Sequence, residues 1–178
     1  MSHFSLAVFH YQDENVDSLL EPFDEGAEGE KYIAYTRQEA IDYVRTNFQG
    51  YKNASDEECW NFMAEGAADT DEAGNIYSTS NPDAKWDWWE EGGRWNGLLK
   101  VGNKRVNSAL VKDIDFTEPF STFAVLTPDG EWHEQGFMGC FGMYAPNGES
   151  DNWDSRYKER FIDTAAPDLV LTIVDCHI

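Results

Sequence analysis

Two apolar runs, one near each end of the chain, restrict the fold more than any other feature. Ser5 to His10 reads Ser-Leu-Ala-Val-Phe-His, and Leu169 to Val174 reads Leu-Val-Leu-Thr-Ile-Val. Neither alternates with polar residues over its apolar stretch, which is the pattern of a short strand covered on both faces. Strands of this kind at both termini are expected to pair at the centre of a sheet. The chain between them must then return to that sheet or pack upon it.

That intervening chain carries clear helix signals. Thr36-x-x-Glu39 stands ahead of Ala40, Ile41, Val44 and Phe48, with Gly50 as the stop; Ser55-x-x-Glu58 repeats the pattern before Cys59, Phe62 and Met63 and ends near Gly66. Each is a capping box, and together they predict two helices of about 11 to 14 residues. A shorter helix around Val16, Leu19 and Leu20 is limited by Pro22, whose ring cannot continue a helix interior. Trp153, Tyr157 and Phe161, at intervals of four, predict a last helix over 153–164 with Asp151 near its start. Residues 64–84 are rich in Ala, Gly, Asp, Asn and Ser, with Ile76 and Tyr77 as apolar anchors, and read mostly as loop. Two hairpins are expected: 95–101 with 104–106 about Gly102-Asn103, and 121–126 with 131–135 about Thr127-Pro128-Asp129-Gly130. The fold class is therefore α+β, a mainly antiparallel sheet including both terminal strands, packed against three or four helices. Residues 1–178 are expected to form a single domain, since 178 residues with 41% apolar content supply one ample core.

Charge narrows the partners. The net charge of −21 excludes extended binding to DNA, RNA or an anionic membrane, because affinity for polyphosphate depends on Lys and Arg neutralising phosphates. It favours basic protein partners instead. No apolar run approaches the roughly 20 residues that span a bilayer, and no leader pattern opens the chain. Three cysteines, Cys59, Cys140 and Cys176, form no short-spaced pair, which fits free thiols in a reducing, cytoplasmic setting.

The acidity is not uniform. Residues 1–84 hold 18 acids against 4 Lys/Arg and residues 113–178 hold 13 against 3, whereas residues 85–112 hold 6 bases against 3 acids. Within this basic island, Lys85 to Gly97 reads Lys-Trp-Asp-Trp-Trp-Glu-Glu-Gly-Gly-Arg-Trp-Asn-Gly, with four of the seven tryptophans. Flat rings beside an arginine fork suit a ligand that combines an aromatic face with negative charge. If 85–89 is extended, Trp86 and Trp88 share one face, and Gly92-Gly93 lets the chain turn and redirect Arg94. The candidate ligand-binding residues are Lys85, Trp86, Trp88, Arg94, Trp95 and Lys100. The alternative is a tryptophan-rich minor core in which Arg94 stacks on a ring or pairs with Glu90 or Glu91.

A second cluster closes the chain: Val174-Asp175-Cys176-His177-Ile178. In a strand, Cys176 points away from Asp175 and His177, so a Cys–His nucleophile pair is awkward and Asp175 orienting His177 is the easier arrangement. His133 could join Asp175 and His177 as a two-histidine, one-carboxylate metal site, but the spacing matches no zinc motif; no metal or cofactor is expected. His3 and His10 fall on opposite faces of one strand and read as edge or surface residues. The stretch 136–143, Gly-Phe-Met-Gly-Cys-Phe-Gly-Met, reads as a close-packed crossing point or an adaptable apolar surface.

Met1-Ser2-His3-Phe4, Asn81-Pro82 before Lys85-Trp86-Asp87-Trp88, Gly92-Gly93-Arg94-Trp95, Trp132-His133-Glu134 and the closing Val174-Asp175-Cys176-His177-Ile178 together resemble a family of small bacteriophage and prophage proteins. The resemblance spans nearly the whole chain and implies a phage or mobile-element origin rather than a chemistry. Cys140 stands where an aromatic is expected in that family, which argues against a metal role for it. The expectation is a non-enzymatic phage-type binding protein that counters host defence, acting in the host cytoplasm on a small anionic, nucleotide-like ligand. One alternative is an acidic nucleic-acid mimic docking on a basic host protein; another is a small metal-dependent or His/Asp hydrolase. Oligomeric state is not legible.

Overall fold

A computed structural model describes residues 2–138 and 144–178. In chain order the elements are β1 (His3–His10), α1 (Val16–Leu20), β2 (Glu28–Tyr35), α2 (Arg37–Asn47), α3 (Asp56–Ala64), β3 (Asp69–Thr70), β4 (Ile76–Ser80), β5 (Trp88–Glu91), β6 (Leu99–Val101), β7 (Lys104–Val106), β8 (Ser108–Leu110), β9 (Ala124–Leu126), β10 (Trp132–Glu134), β11 (Gly136–Met138), β12 (Tyr144–Pro146), α4 (Trp153–Tyr157) and β13 (Val170–His177). The fold is α+β, with mostly antiparallel sheets that include the first and last strands. The described residues cluster into two compact units, one comprising 1–25 and 83–178 and the other 26–82.

The first unit is built on the pairing that the apolar runs demanded. β1 and β13 lie antiparallel at the centre of a six-stranded sheet, in register from His3 opposite His177 to His10 opposite Val170. β9 joins β1 in parallel and β10 extends that edge, while β5 and β8 both pair with β13 on the other side. Side-chain alternation divides the apolar residues between two faces. Ala7, Phe9, Leu171 and Ile173 face one cluster with Leu99, Val125, Trp153, Tyr157 and Phe161; Phe4, Leu6, Val8, Val174 and Cys176 face another with Leu20, Trp86 and Leu126. Each fully buried Leu, Ile or Val contributes about 1.5–3 kcal/mol, so a polar residue at Leu6 or Ile173 would weaken both strands at once.

Helix α4 is shorter than its pattern, because the chain passes into a π turn over Lys158–Ile162. The wider turn still keeps Trp153, Tyr157 and Phe161 buried, with neighbouring rings 5.4–6.0 Å apart. The hairpins form as β6–β7 and β9–β10, although Trp95 lies in a 3-10 turn ahead of β6 rather than in it. The second unit contains α2 and α3, both opened by the expected capping boxes, around Ile41, Val44 and Cys59. Beside them β2, β4 and β3 form a small sheet, so part of the stretch read as loop is strand. Cys140 and the stretch 139–143 lie outside the described residues, so the reading of that glycine-rich segment is not addressed beyond β11. Among the described residues, no helix is long and apolar enough to cross a membrane.

Candidate functional site

One end of the central sheet gathers the polar chemistry of the first unit. Register places His3, His177 and Trp88 in one cross-strand row over β1, β13 and β5, and Ser5, Asp175 and Glu90 in the next. Cross-strand partners share a face, and residues two apart keep it, so these six positions form one surface of the sheet. Asp175 is its anchor, a carboxyl side chain only 1% exposed. One carboxylate oxygen lies 2.8 Å from Nδ1 of His3, and the other accepts a 2.9 Å hydrogen bond from the backbone N–H of Arg94. A second carboxylate, Asp87, holds Nδ1 of His177. The rings of His3 and His177 meet edge-on, 5.0 Å between centroids, with Trp88 edge-on to His3 at 6.4 Å.

A carboxylate on Nδ1 fixes the tautomer and orientation of an imidazole and leaves Nε2 as its working position. In His177 that atom is shielded from solvent and has no partner among the described residues. An unsatisfied buried polar atom costs about 1–3 kcal/mol, and such groups concentrate where a ligand or catalytic role supplies the missing partner.

Gly92 and Gly93 make the arrangement possible. Both have positive φ, +74° and +47°, and a Cβ on Gly93 would fall 2.4 Å from Cβ and Oδ2 of Asp175. The loop therefore lies directly on the carboxylate, and Arg94 continues outward with its side chain exposed. Among the described residues no ion pair engages that guanidinium. It is not buried against Glu90 or Glu91, and the minor-core alternative fails for it.

The other candidate residues are dispersed. Trp86 and Trp88 do not share a face: a bend at Asp87 shifts the phase, so Trp86 joins Trp89 in the apolar cluster around Leu6, and its Nε1 donates to the Leu20 carbonyl. Trp88, 48% exposed, is left on the opposite face. Trp95 packs against the other core cluster. Lys85 pairs with Glu134, Lys100 with Asp115 and Glu118, and Arg105 with Glu118. Half of the basic island is thus neutralised where it stands, and of the six candidate ligand residues only Trp88 and Arg94 are exposed.

Three further expectations are corrected. His133, Asp175 and His177 are not brought together, because β10 and β13 are three strand positions apart, about 14 Å at ordinary strand spacing. His133 instead accepts a hydrogen bond from Arg160 and neighbours Glu149. Among the described residues, no group of three or more His, Cys, Asp or Glu could hold a metal ion. Asp175 orients His3 rather than His177, a pairing across 172 residues that no local spacing reveals. Nor are His3 and His10 surface residues: β1 is central, and His10 is buried between the Tyr11 carbonyl and the Thr172 hydroxyl.

Cys176 faces the opposite cluster, as alternation requires, and burial, with the charge of Asp175 adding to it, pushes its thiol far above the ordinary range. Iodoacetamide is therefore expected to leave Cys59 and Cys176, both buried, unlabelled in the folded protein and to modify them in urea. Peptide mapping by mass spectrometry checks this; native labelling of Cys176 would mean that the end of β13 opens. A scan against protein-family models and searches of curated proteins and solved structures find no match for this chain.

Proposed function

We propose that this is a phage-type binding protein, acting in the host cytoplasm against a defence system, and that it holds a small anionic, ring-bearing ligand of nucleotide type at the Trp88–Arg94 end of its sheet. The observation that carries this reading is the exposed guanidinium of Arg94, which no ion pair engages among the described residues and whose backbone N–H is held by Asp175 beside the Gly93 turn. A planar guanidinium binds phosphate or carboxylate through two parallel hydrogen bonds. Trp88, exposed at the same end of the sheet, offers a ring face for stacking. Glu90 faces the same row. Its charge disfavours a triphosphate and favours a ligand of low charge.

Mass spectrometry of the small molecules released from the protein, purified from cells that produce it, tests this directly. Wild-type protein is expected to release a ring-bearing phosphate or carboxylate that Trp88→Ala, equally folded, lacks. Release of the same compound in equal amount from both variants, or of none from wild type, would overturn the reading.

A further inference from the structure

We propose that the second unit carries a docking groove for an extended, basic segment of a partner protein, which adds as a strand to the open edge of β4. The ladder between β3 and β4 ends at Asp69 opposite Tyr77, whereas β4 runs on to Ser80. It ends there because Gly66 and Ala67 return their N–H groups to the carbonyls of Met63 and Ala64 at the close of α3. Among the described residues no strand lies beside Ser78, Thr79 and Ser80 on that side. The Ser80 N–H donates to the Ser78 hydroxyl, 3.0 Å away, a local bond that an incoming strand can replace. Exposed edges are ordinarily guarded by Lys, Pro or inward-pointing charges, and Ser78-Thr79-Ser80 carries none of them.

The edge opens on a cavity of about 480 Å³ whose lining includes Tyr35, Phe62, Met63, Ala68, Ile76 and Thr79. Tyr35 and Phe62 are the ends of a continuous row of rings that runs through Tyr43 and Phe48, with successive centroids 5.5, 6.3 and 4.9 Å apart. Four of the seven exposed large apolar side chains among the described residues, Ile33, Tyr43, Phe48 and Phe62, belong to this unit. An added strand gains affinity from main-chain hydrogen bonds and specificity from alternate side chains that enter such a pocket.

Charge decides the occupant. Residues 26–82 hold 11 acids against 4 Lys/Arg, and Lys31, Arg37 and Arg45 are already paired with Asp69, Glu57 and Asp56. At the groove, Lys31 lies over the Tyr77 ring, neutralised by Asp69. Glu28 stands opposite Ser80, and the exposed Glu65 caps α3, whose last turn carries no base; the negative end of that helix adds to its attraction for a cation. A strand that alternates apolar residues with Lys or Arg matches both features, its apolar side chains meeting the rings and its long basic ones reaching the rim carboxylates. A second copy or an anionic membrane would instead bring negative charge to a chain of net charge −21.

The test is fluorescence anisotropy of the full chain with a labelled peptide of about six residues, an ordinary strand length, in which leucine and arginine alternate. Wild-type protein is expected to bind it, more tightly at low salt, and to ignore the peptide in which glutamate replaces arginine. Methylating the peptide nitrogens, which removes the ladder donors, should weaken binding by about tenfold or more. Ala68→Arg, an exposed substitution that fills the cavity wall with a like charge, should do the same, as should Glu28→Lys combined with Glu65→Lys; none of these touches the packing of the rings. Equal affinity for the arginine and glutamate peptides, for the methylated peptide, or in both variants overturns the proposal. So does light scattering that shows a wild-type dimer, monomeric as Ala68→Arg, with no affinity for the peptide, since the groove would then belong to a second copy.

Discussion

Gly93→Ala is expected to destabilise the protein by more than about 2 kcal/mol, a large effect for the addition of one methyl group. Two costs coincide. An L-residue at positive φ costs about 1–2 kcal/mol, and Gly93 has φ +47°. The new Cβ would also lie 2.4 Å from Asp175, a side chain 1% exposed that cannot retreat into solvent; overpacking of this kind costs about 1–3 kcal/mol more. If the loop lifts to relieve the clash, the Arg94 N–H leaves Asp175, and the carboxylate that orients His3 loses a partner. Urea denaturation measures the change as a lower midpoint at constant slope. Arg94→Ala, which removes only an exposed side chain, is the control and should stay within about 0.5 kcal/mol of wild type. A Gly93→Ala protein as stable as that control would show that the loop does not rest on Asp175.

The contrast between these neighbouring residues shows what a sequence can and cannot declare. Local physics was legible: the apolar runs of β1 and β13 required their pairing, and both capping boxes formed because all their partners lie within four consecutive residues. The tryptophan cluster was also visible, but not its division. A single bend at Asp87 decides which rings enter the core, and nothing in Trp-Asp-Trp-Trp specifies where alternation breaks. The histidine pair was hidden more deeply, since His3 meets its carboxylate only once the two ends of the chain are in register. One signal was available. If the terminal strands pair, a histidine third from one end and one next to the other end fall opposite each other. Strand β2 was missed for another reason: four of its first residues, Glu28 to Lys31, are exposed and its register with β4 is interrupted, so no apolar alternation marks it.

The acidic surface and the Arg94 site make opposite demands on one further pair of variants. Arg94→Glu is expected to lower ligand occupancy by about 100-fold or more, since hydrogen bonds to charged groups are worth about 1.5–3 kcal/mol each and the substitution adds repulsion to their loss. Reversing the acids of the second unit, with Asp42→Lys and Glu57→Lys, should leave occupancy unchanged. Those carboxylates already have local roles: Asp42 accepts from Gln38, Glu57 pairs with Arg37, and Glu39 and Glu58 complete the capping boxes. Glu39 and Glu58 must be left intact, because a reversal there would unfold helix ends and imitate a loss of binding. A nucleic-acid mimic would behave in the reverse manner, its complex with a basic partner weakening on reversal and falling steeply between low and physiological salt, with Arg94→Glu adding acidity and doing no harm. Scoring both variants for released ligand and for salt-dependent capture on a polylysine surface separates the two readings. Equal occupancy in Arg94→Glu, together with loss of capture on reversal of Asp42 and Glu57, would transfer the function from the end of the sheet to the acidic helices.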